Sequence, residues 1–253
     1  MNDADIIFEL KDVCFTYNDS VALKNVDLTV RKGEQVCILG ANGCGKTTLL
    51  RILAGISVPQ SGFFNAFGSK ITKKSFDNDE FACAYHKRTG FIFQNSDVQL
   101  FCTSVLEEIA FGPLQIGIPA REAEHRVNDV AKMLEIETLL PKAPFNLSGG
   151  EKKKVALAAV LALNPEVLIL DEPTNGLDPR SQHWLIKLLL TMGTAGKTII
   201  VSTHSLSLAR QISSRAVLFD ENHTIAADAP ALELIGNAAL LRRVNLVDES
   251  YGE

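Results

Sequence analysis

No stretch of this sequence is both long enough and apolar enough to cross a bilayer. The strongest candidate, residues 155–170, is interrupted by Asn164, Pro165 and Glu166 and falls short of the roughly 20 residues a spanning helix needs. A basic start is missing too: Met1-Asn2-Asp3-Ala4-Asp5 puts acids where a secretory signal carries lysine or arginine. The expected location is the cytosol, with any membrane role reached through a partner. Cysteine is sparse and scattered. Cys14, Cys37, Cys44, Cys83 and Cys102 form no C-x-x-C pair and no Cys/His cluster, so zinc spacing and a disulfide framework are both absent and the five read as reduced thiols. Nor is there an excess of positive charge. Lys and Arg total 25 against 30 Asp and Glu, a net charge of −5, which is the opposite of a nucleic-acid binder's basic surface. Internal repeats and low-complexity tracts are lacking as well.

What remains is an ordinary globular composition, 46% apolar and 22% charged over 253 residues, enough for one large α/β domain or a core with a modest subdomain. Short β-branched runs at residues 6–10, 28–30, 36–39, 90–93, 167–170, 198–201 and 216–219 alternate with helical segments at 46–54, 104–111, 120–134, 150–163 and 179–192. That alternation implies a mainly parallel sheet covered by helices. The last four runs are apolar throughout, as strands buried on both faces are. Residues 70–87 read as a surface loop or weak edge element. Leu240, Leu241, Val244 and Val247 fall at helical spacing, giving a terminal helix docked on its own core or a dimerisation helix.

Three local patterns carry chemistry. Gly40-Ala41-Asn42-Gly43-Cys44-Gly45-Lys46-Thr47 meets every fixed position of G-x-x-x-x-G-K-[ST], after an apolar run and before a helix, the context of a P-loop. Its glycines free backbone N–H groups to point inward, and the positive helix end assists them in binding polyphosphate. Lys46 is expected to reach the β- and γ-phosphates, the Thr47 hydroxyl to ligate Mg²⁺, and Thr48 to complete the cradle. The second pattern, Val167-Leu168-Ile169-Leu170-Asp171-Glu172, is an apolar strand tipped by two acids. Asp171 is expected to hold Mg²⁺ through a water, and Glu172 to polarise the attacking water as general base. Third, His204 follows the run at 198–201 through Ser202 and Thr203, on the sheet edge where α/β ligands bind.

Leu147-Ser148-Gly149-Gly150-Glu151 resembles the signature sequence of ATP-binding cassette proteins. The resemblance covers about residues 6–234. It implies an α/β fold with a P-loop NTPase (RecA-like) core, a mainly parallel sheet, an antiparallel β subdomain and a helical signature subdomain at about 100–162. It places the ATPase domain at 1–236 and a tail with a short helix at 237–253. It implies further that Ser148, Gly149, Gly150 and Glu151 cap the ATP held by a second ATPase subunit, most simply an identical one. Tyr17 matches the aromatic that stacks on adenine, Gln94 the glutamine that touches Mg²⁺ and links to the membrane partner, Gly176-Leu177-Asp178 the loop crossing the dimer interface, and His204 the γ-phosphate contact. Lys154 stands where many relatives have arginine, losing the planar fork. Cys44 lends its backbone, with a thiol that would make activity sensitive to alkylation.

Phe93-Gln94-Asn95-Ser96-Asp97-Val98-Gln99-Leu100-Phe101, followed by the segment from Val105 to Pro113, is similar to the ATPases of energy-coupling factor importers. These take up transition metals or vitamins with a transmembrane scaffold subunit and a small substrate-binding membrane subunit, and the chain is most like their cobalt and nickel ATPases. Such a subunit sits on the cytoplasmic face of the cell membrane. On this reading Gln99, Leu100 and Phe101 meet the partner, while Phe91, Phe93 and Phe111 are core. A cytosolic cassette outside transport is the rival, but such proteins carry coiled coils, a zinc insertion or a second cassette.

Overall fold

Strands that are apolar at every position must be covered on both faces, and the short apolar runs meet in one sheet. The computed structural model describes residues 5–248; the end of the expected tail, 249–253, lies outside them. Six strands run edge to edge as β10 (Ile225–Pro230), β9 (Arg215–Phe219), β3 (Gln35–Leu39), β8 (Thr198–Thr203), β7 (Val167–Asp171) and β6 (Thr89–Ile92). All neighbours are parallel except β10, which pairs antiparallel with β9. Side chains alternate across this sheet with period two. Cys37, Leu39, Leu168, Leu170, Val201 and Leu218 enter one core, and Val36, Ile38, Val167, Ile169, Ile200 and Val217 the other.

The second core is closed by helix α1 (Lys46–Leu53) and an antiparallel sheet ordered β2 (Ser20–Arg31), β1 (Ile6–Tyr17), β4 (Ser61–Ala66), β5 (Ser69–Lys70). β1 and β2 are far longer than the runs expected at 6–10 and 28–30. Register shifts between Leu10 and Val13, with positive φ at Asp12 and Asn25, break the alternation that marks a strand in sequence.

The first core is covered by α3 (Val105–Gln115), α4 (Ala120–Met133), α5 (Gly149–Leu161), α6 (Pro179–Thr194), α7 (Leu206–Ile212), α8 (Ala231–Gly236) and α9 (Ala238–Arg243). Val155, Ala156, Leu157 and Ala158 of α5 are consecutive and all fully buried, so this helix is enclosed on every side there. Leu241 and Val244 are buried in the same core, the docked arrangement of the two weighed for the chain's end.

Two expectations are corrected. Residues 70–87 hold more than a loop or edge strand, for α2 (Asp79–Arg88) takes up the second half of the segment. Asn78 caps it by accepting from Phe81 N, and Tyr85 is buried among Phe67, Phe76 and Phe81. Helix α3 also runs past the expected stop at 111, with Pro113 inside it.

Candidate active site

A cleft of about 490 Å³ opens where β3 turns into α1. The turn is tight because Gly45 permits it: φ is +113°, and a Cβ there would lie 2.3 Å from the Ala22 carbonyl oxygen of β2. No side chain caps α1, so its first-turn amides are left for an anion. Asn42, Gly43, Gly45, Lys46, Thr47 and Thr48 line the floor. Gly40, Ala41 and Cys44 complete the loop without lining the cleft. Lys46 is buried, and its ammonium donates to Gly40 O (2.7 Å) and Ala41 O (3.0 Å) while standing 3.7 Å from Glu172 Oε1. Its hydrogen bonds go to carbonyls, with the carboxylate at the longer distance, and phosphate oxygens can replace those carbonyl acceptors. Tyr17 walls the outer end, half exposed and edge-to-face on Phe15.

The strand-tip acids meet the cradle from β7. Thr47 Oγ1 donates to Asp171 Oδ2 (2.8 Å) and Ser202 Oγ to Asp171 Oδ1 (2.5 Å), so both carboxylate oxygens are fixed. A hydroxyl and a carboxylate at the helix start are hard oxygen donors. Among the described residues no three His, Cys, Asp or Glu side chains cluster, so an ion here would take the rest of its shell from phosphate and water, as Mg²⁺ does. Glu172 is bent into the left-handed region at φ +41°, with its N–H donating to Ser202 O and Oγ, each at 3.1 Å. That turn aims the side chain away from Asp171. Oε1 lies 3.1 Å from His204 Nδ1, whereas Oε2 is buried and has no protein partner. A buried carboxylate oxygen without a protein donor is costly, and a water entering the cleft would satisfy it.

The second motif lies elsewhere. Ser148 caps α5 in a reciprocal box. Glu151 Oε2 accepts from Ser148 N (2.8 Å) and Oγ (2.7 Å), which holds the Glu151 carboxyl below its ordinary value, and Glu151 N donates back to Ser148 Oγ (3.4 Å). Gly149, Gly150 and Glu151 line a separate cleft with Lys154, Asp178, Arg180, Ser181 and Trp184. A Cβ at Gly150 would come within 2.9 Å of Ser181 Oγ, so a side chain there would have to displace that hydroxyl from its bond to Asp178. Lys154 uses its charge on the Trp184 ring (4.7 Å) and the Leu134 carbonyl. The two clefts share no lining residue.

Gln94, exposed, lines the first cleft. Gln99 does not face outward as expected: its amide donates to Phe91 O and accepts from Phe93 N, tying the loop shut. Leu100 packs on the core, and Phe91 and Phe93 are half-buried. Phe111 is exposed rather than core, edge-to-face with the exposed Phe101 at 4.9 Å. Val98, Leu106 and Leu114 are exposed as well. Burial pushes the Cys44 thiol up and hides it, contrary to the expected alkylation. Three positions at the candidate site had no signal in the sequence. Ser202 holds Asp171, Asn175 lines the first cleft, and the ammonium of Lys153, itself 3% exposed, donates to Phe93 O and Gln94 O at 3.1 Å. Burial moves Lys153 down to about 8.

Comparison with known proteins identifies relatives of the whole chain. The profile of the family described as ABC transporter matches residues 23–175. The chain is 45% identical to the nickel import ATP-binding protein NikO of Rhodobacter capsulatus, covering 95% of each. It is 37% identical to the energy-coupling factor transporter ATP-binding protein EcfA of Methanothermobacter thermautotrophicus, covering 95% of this chain and 76% of that one. Among solved structures, cbiO1 of Clostridium perfringens, part of the ABC transporter complex cbiONQ, superposes with a TM-score of 0.81 at 34% identity, over 96% of this chain and 95% of that one. A bacterial ABC transporter cassette solved as a dimer matches with a TM-score of 0.79 at 29% identity, over 89% and 99%.

Proposed function

Since the chain belongs to the ABC transporter family, whose cassettes hydrolyse ATP to drive transport, we propose that it energises an energy-coupling factor importer for nickel or cobalt, as half of a dimer on the cytoplasmic membrane face. The metal assignment rests on the stretch from Phe93 to Pro113 and on the nickel importer NikO and the cbiO1 subunit among its relatives. The exposed surface of Val98, Phe101, Phe111 and Leu114 suits a membrane scaffold subunit.

One observation carries the mechanism: the uncapped start of α1 and the Ser148 turn at the start of α5 open into clefts with no residue in common. A single chain cannot bring both to one triphosphate, but two chains head to tail can, each offering its Gly40–Thr47 turn to one nucleotide and its Ser148 turn to the other. Tyr17 stacks on the base. Lys46 leaves the carbonyls of Gly40 and Ala41 for the β- and γ-phosphates. Thr47 and Asp171, with Gln94 at the rim, are the oxygen donors that would hold Mg²⁺, which when bound supplies charge against the phosphates. Glu172, through its unpartnered oxygen, takes a proton from the water that attacks the γ-phosphorus as the bond to the β-γ bridging oxygen breaks. His204 steadies that carboxylate and meets the γ-phosphate.

Glu172→Gln removes the proton acceptor and keeps the shape. The substituted chain is expected to bind ATP, to elute as a stable dimer on size-exclusion chromatography in ATP, and to lose turnover. Retained turnover would remove Glu172 from this role.

A further inference from the structure

The two clefts are joined within one chain by a pair of side chains that the catalytic cycle does not use. Lys152 and Lys153 stand next to each other near the start of α5, just beyond the signature turn. Neighbours on a helix point in different directions, yet here both reach one segment. Lys152 Nζ lies 2.6 Å from Asp97 Oδ1 on the solvent side. Lys153 Nζ, inside, donates to the carbonyls of Phe93 and Gln94. The segment they hold is stiffened from within. Asn95 Oδ1 accepts from Asp97 N, and Gln99 ties back to Phe91 and Phe93. A small third cleft, lined by Gln94 and Asp97 on one side and Gly149, Lys152 and Lys153 on the other, lies along this contact.

We propose that Lys152 and Lys153 form a clasp that makes the signature turn and the Gln94 loop move as one body, so that engagement of the partner's nucleotide by Ser148 sets the position of Gln94 over the chain's own nucleotide. This rests on the dimeric reading above and adds to it a route between the two nucleotides. Lys153 is the positioning residue, for its buried charge is held by backbone carbonyls and its loss leaves both unpaired. Lys152, half-buried, and the exposed Asp97 are the outer strap, open to solvent and weaker. Rigid coupling of this kind is what lets a displacement at one site bias another.

Steady-state hydrolysis by the full chain, titrated with Mg²⁺ at saturating ATP, tests the clasp. Gln94→Ala serves as the reference, and its half-saturating Mg²⁺ is expected to rise roughly five- to tenfold. Lys153→Met is expected to raise it similarly while lowering kcat, with the double substitution no worse than either alone, since both act through one contact. A residue that only held the fold would lower the melting temperature and active fraction and leave the Mg²⁺ midpoint in place. Should Lys153→Met fail to fold, Lys152→Asp and Asp97→Lys, both on the surface, serve instead: each alone is expected to shift the midpoint by a smaller factor, and the two together to restore it. If Gln94→Ala shifts the midpoint while neither Lys153→Met nor the strap substitutions do, the clasp is wrong and the proposed cycle stands. If Gln94→Ala itself has no effect, its role in the cycle is wrong and the clasp falls with it.

Discussion

Asp171 and Glu172 are consecutive, yet the backbone gives them unlike surroundings. Asp171 has a hydroxyl on each oxygen, whereas Glu172, at φ +41°, keeps one oxygen free. A non-glycine residue in that region costs of order 1–3 kcal/mol, and the Ser202 backbone and hydroxyl that hold the Glu172 N–H offset it. Ser202 therefore serves both acids. Ser202→Ala leaves Asp171 Oδ1 buried without a donor and is expected to cost about 1–3 kcal/mol in chemical denaturation. A change under about 0.5 kcal/mol, the usual range for surface sites, would mean the hydroxyl bears no such load. The roles proposed for Lys46, Thr47, Asp171 and Glu172 were legible because each motif is contiguous and its spacing is fixed by one turn. Ser202 and Lys153 were not, because each acts across a contact that joins residues 31 and about 60 positions apart, and a single chain of letters does not print such pairings.

Elements that position the site are tied at their far ends as well. Helix α1 begins at the cradle and ends against α2, where Tyr85, fully inside, donates its hydroxyl to Leu53 O at 2.6 Å. That carbonyl is among the last of α1, which no later turn of the helix satisfies. Tyr85→Phe preserves the ring packing and removes the donor, so it is expected to destabilise the fold by about 1–2 kcal/mol, read from the denaturation midpoint; an unchanged midpoint would contradict the tie. The parallel strands were readable from their unbroken apolar runs. The antiparallel sheet was only half readable, since the bulges at Asp12 and Asn25 reset its alternation. Helix α2 was missed because its stabilising contacts are aromatic and distant in sequence, Phe67 and Phe76 against Tyr85, rather than a periodic stripe. Helix α3 continues past the expected end at 111 with Pro113 inside it, although proline is disfavoured in a helix interior.

At the scale of the whole molecule, the chain presents two separate clefts, each offering one half of the proposed nucleotide site: a glycine turn with an acid pair, and a serine-glycine helix start with neither. The exposed aromatic pair Phe101 and Phe111 follows Gln94 within the next seventeen positions of the chain, so the proposed nucleotide contact and the surface proposed for a membrane partner lie on neighbouring segments. Closure of two chains around ATP would move that surface, and reopening after hydrolysis would return it.

The direct test is complementation between two inactive chains. Lys46→Ala spoils the phosphate turn and keeps the serine-glycine turn; Ser148→Arg does the reverse. Each alone is expected to be inert, and mixing them should restore ATP hydrolysis, because the mixed pair contains one complete site assembled from the sound half of each. A mixture that stays inert, or a Ser148→Arg chain that hydrolyses ATP normally by itself, would contradict the shared site.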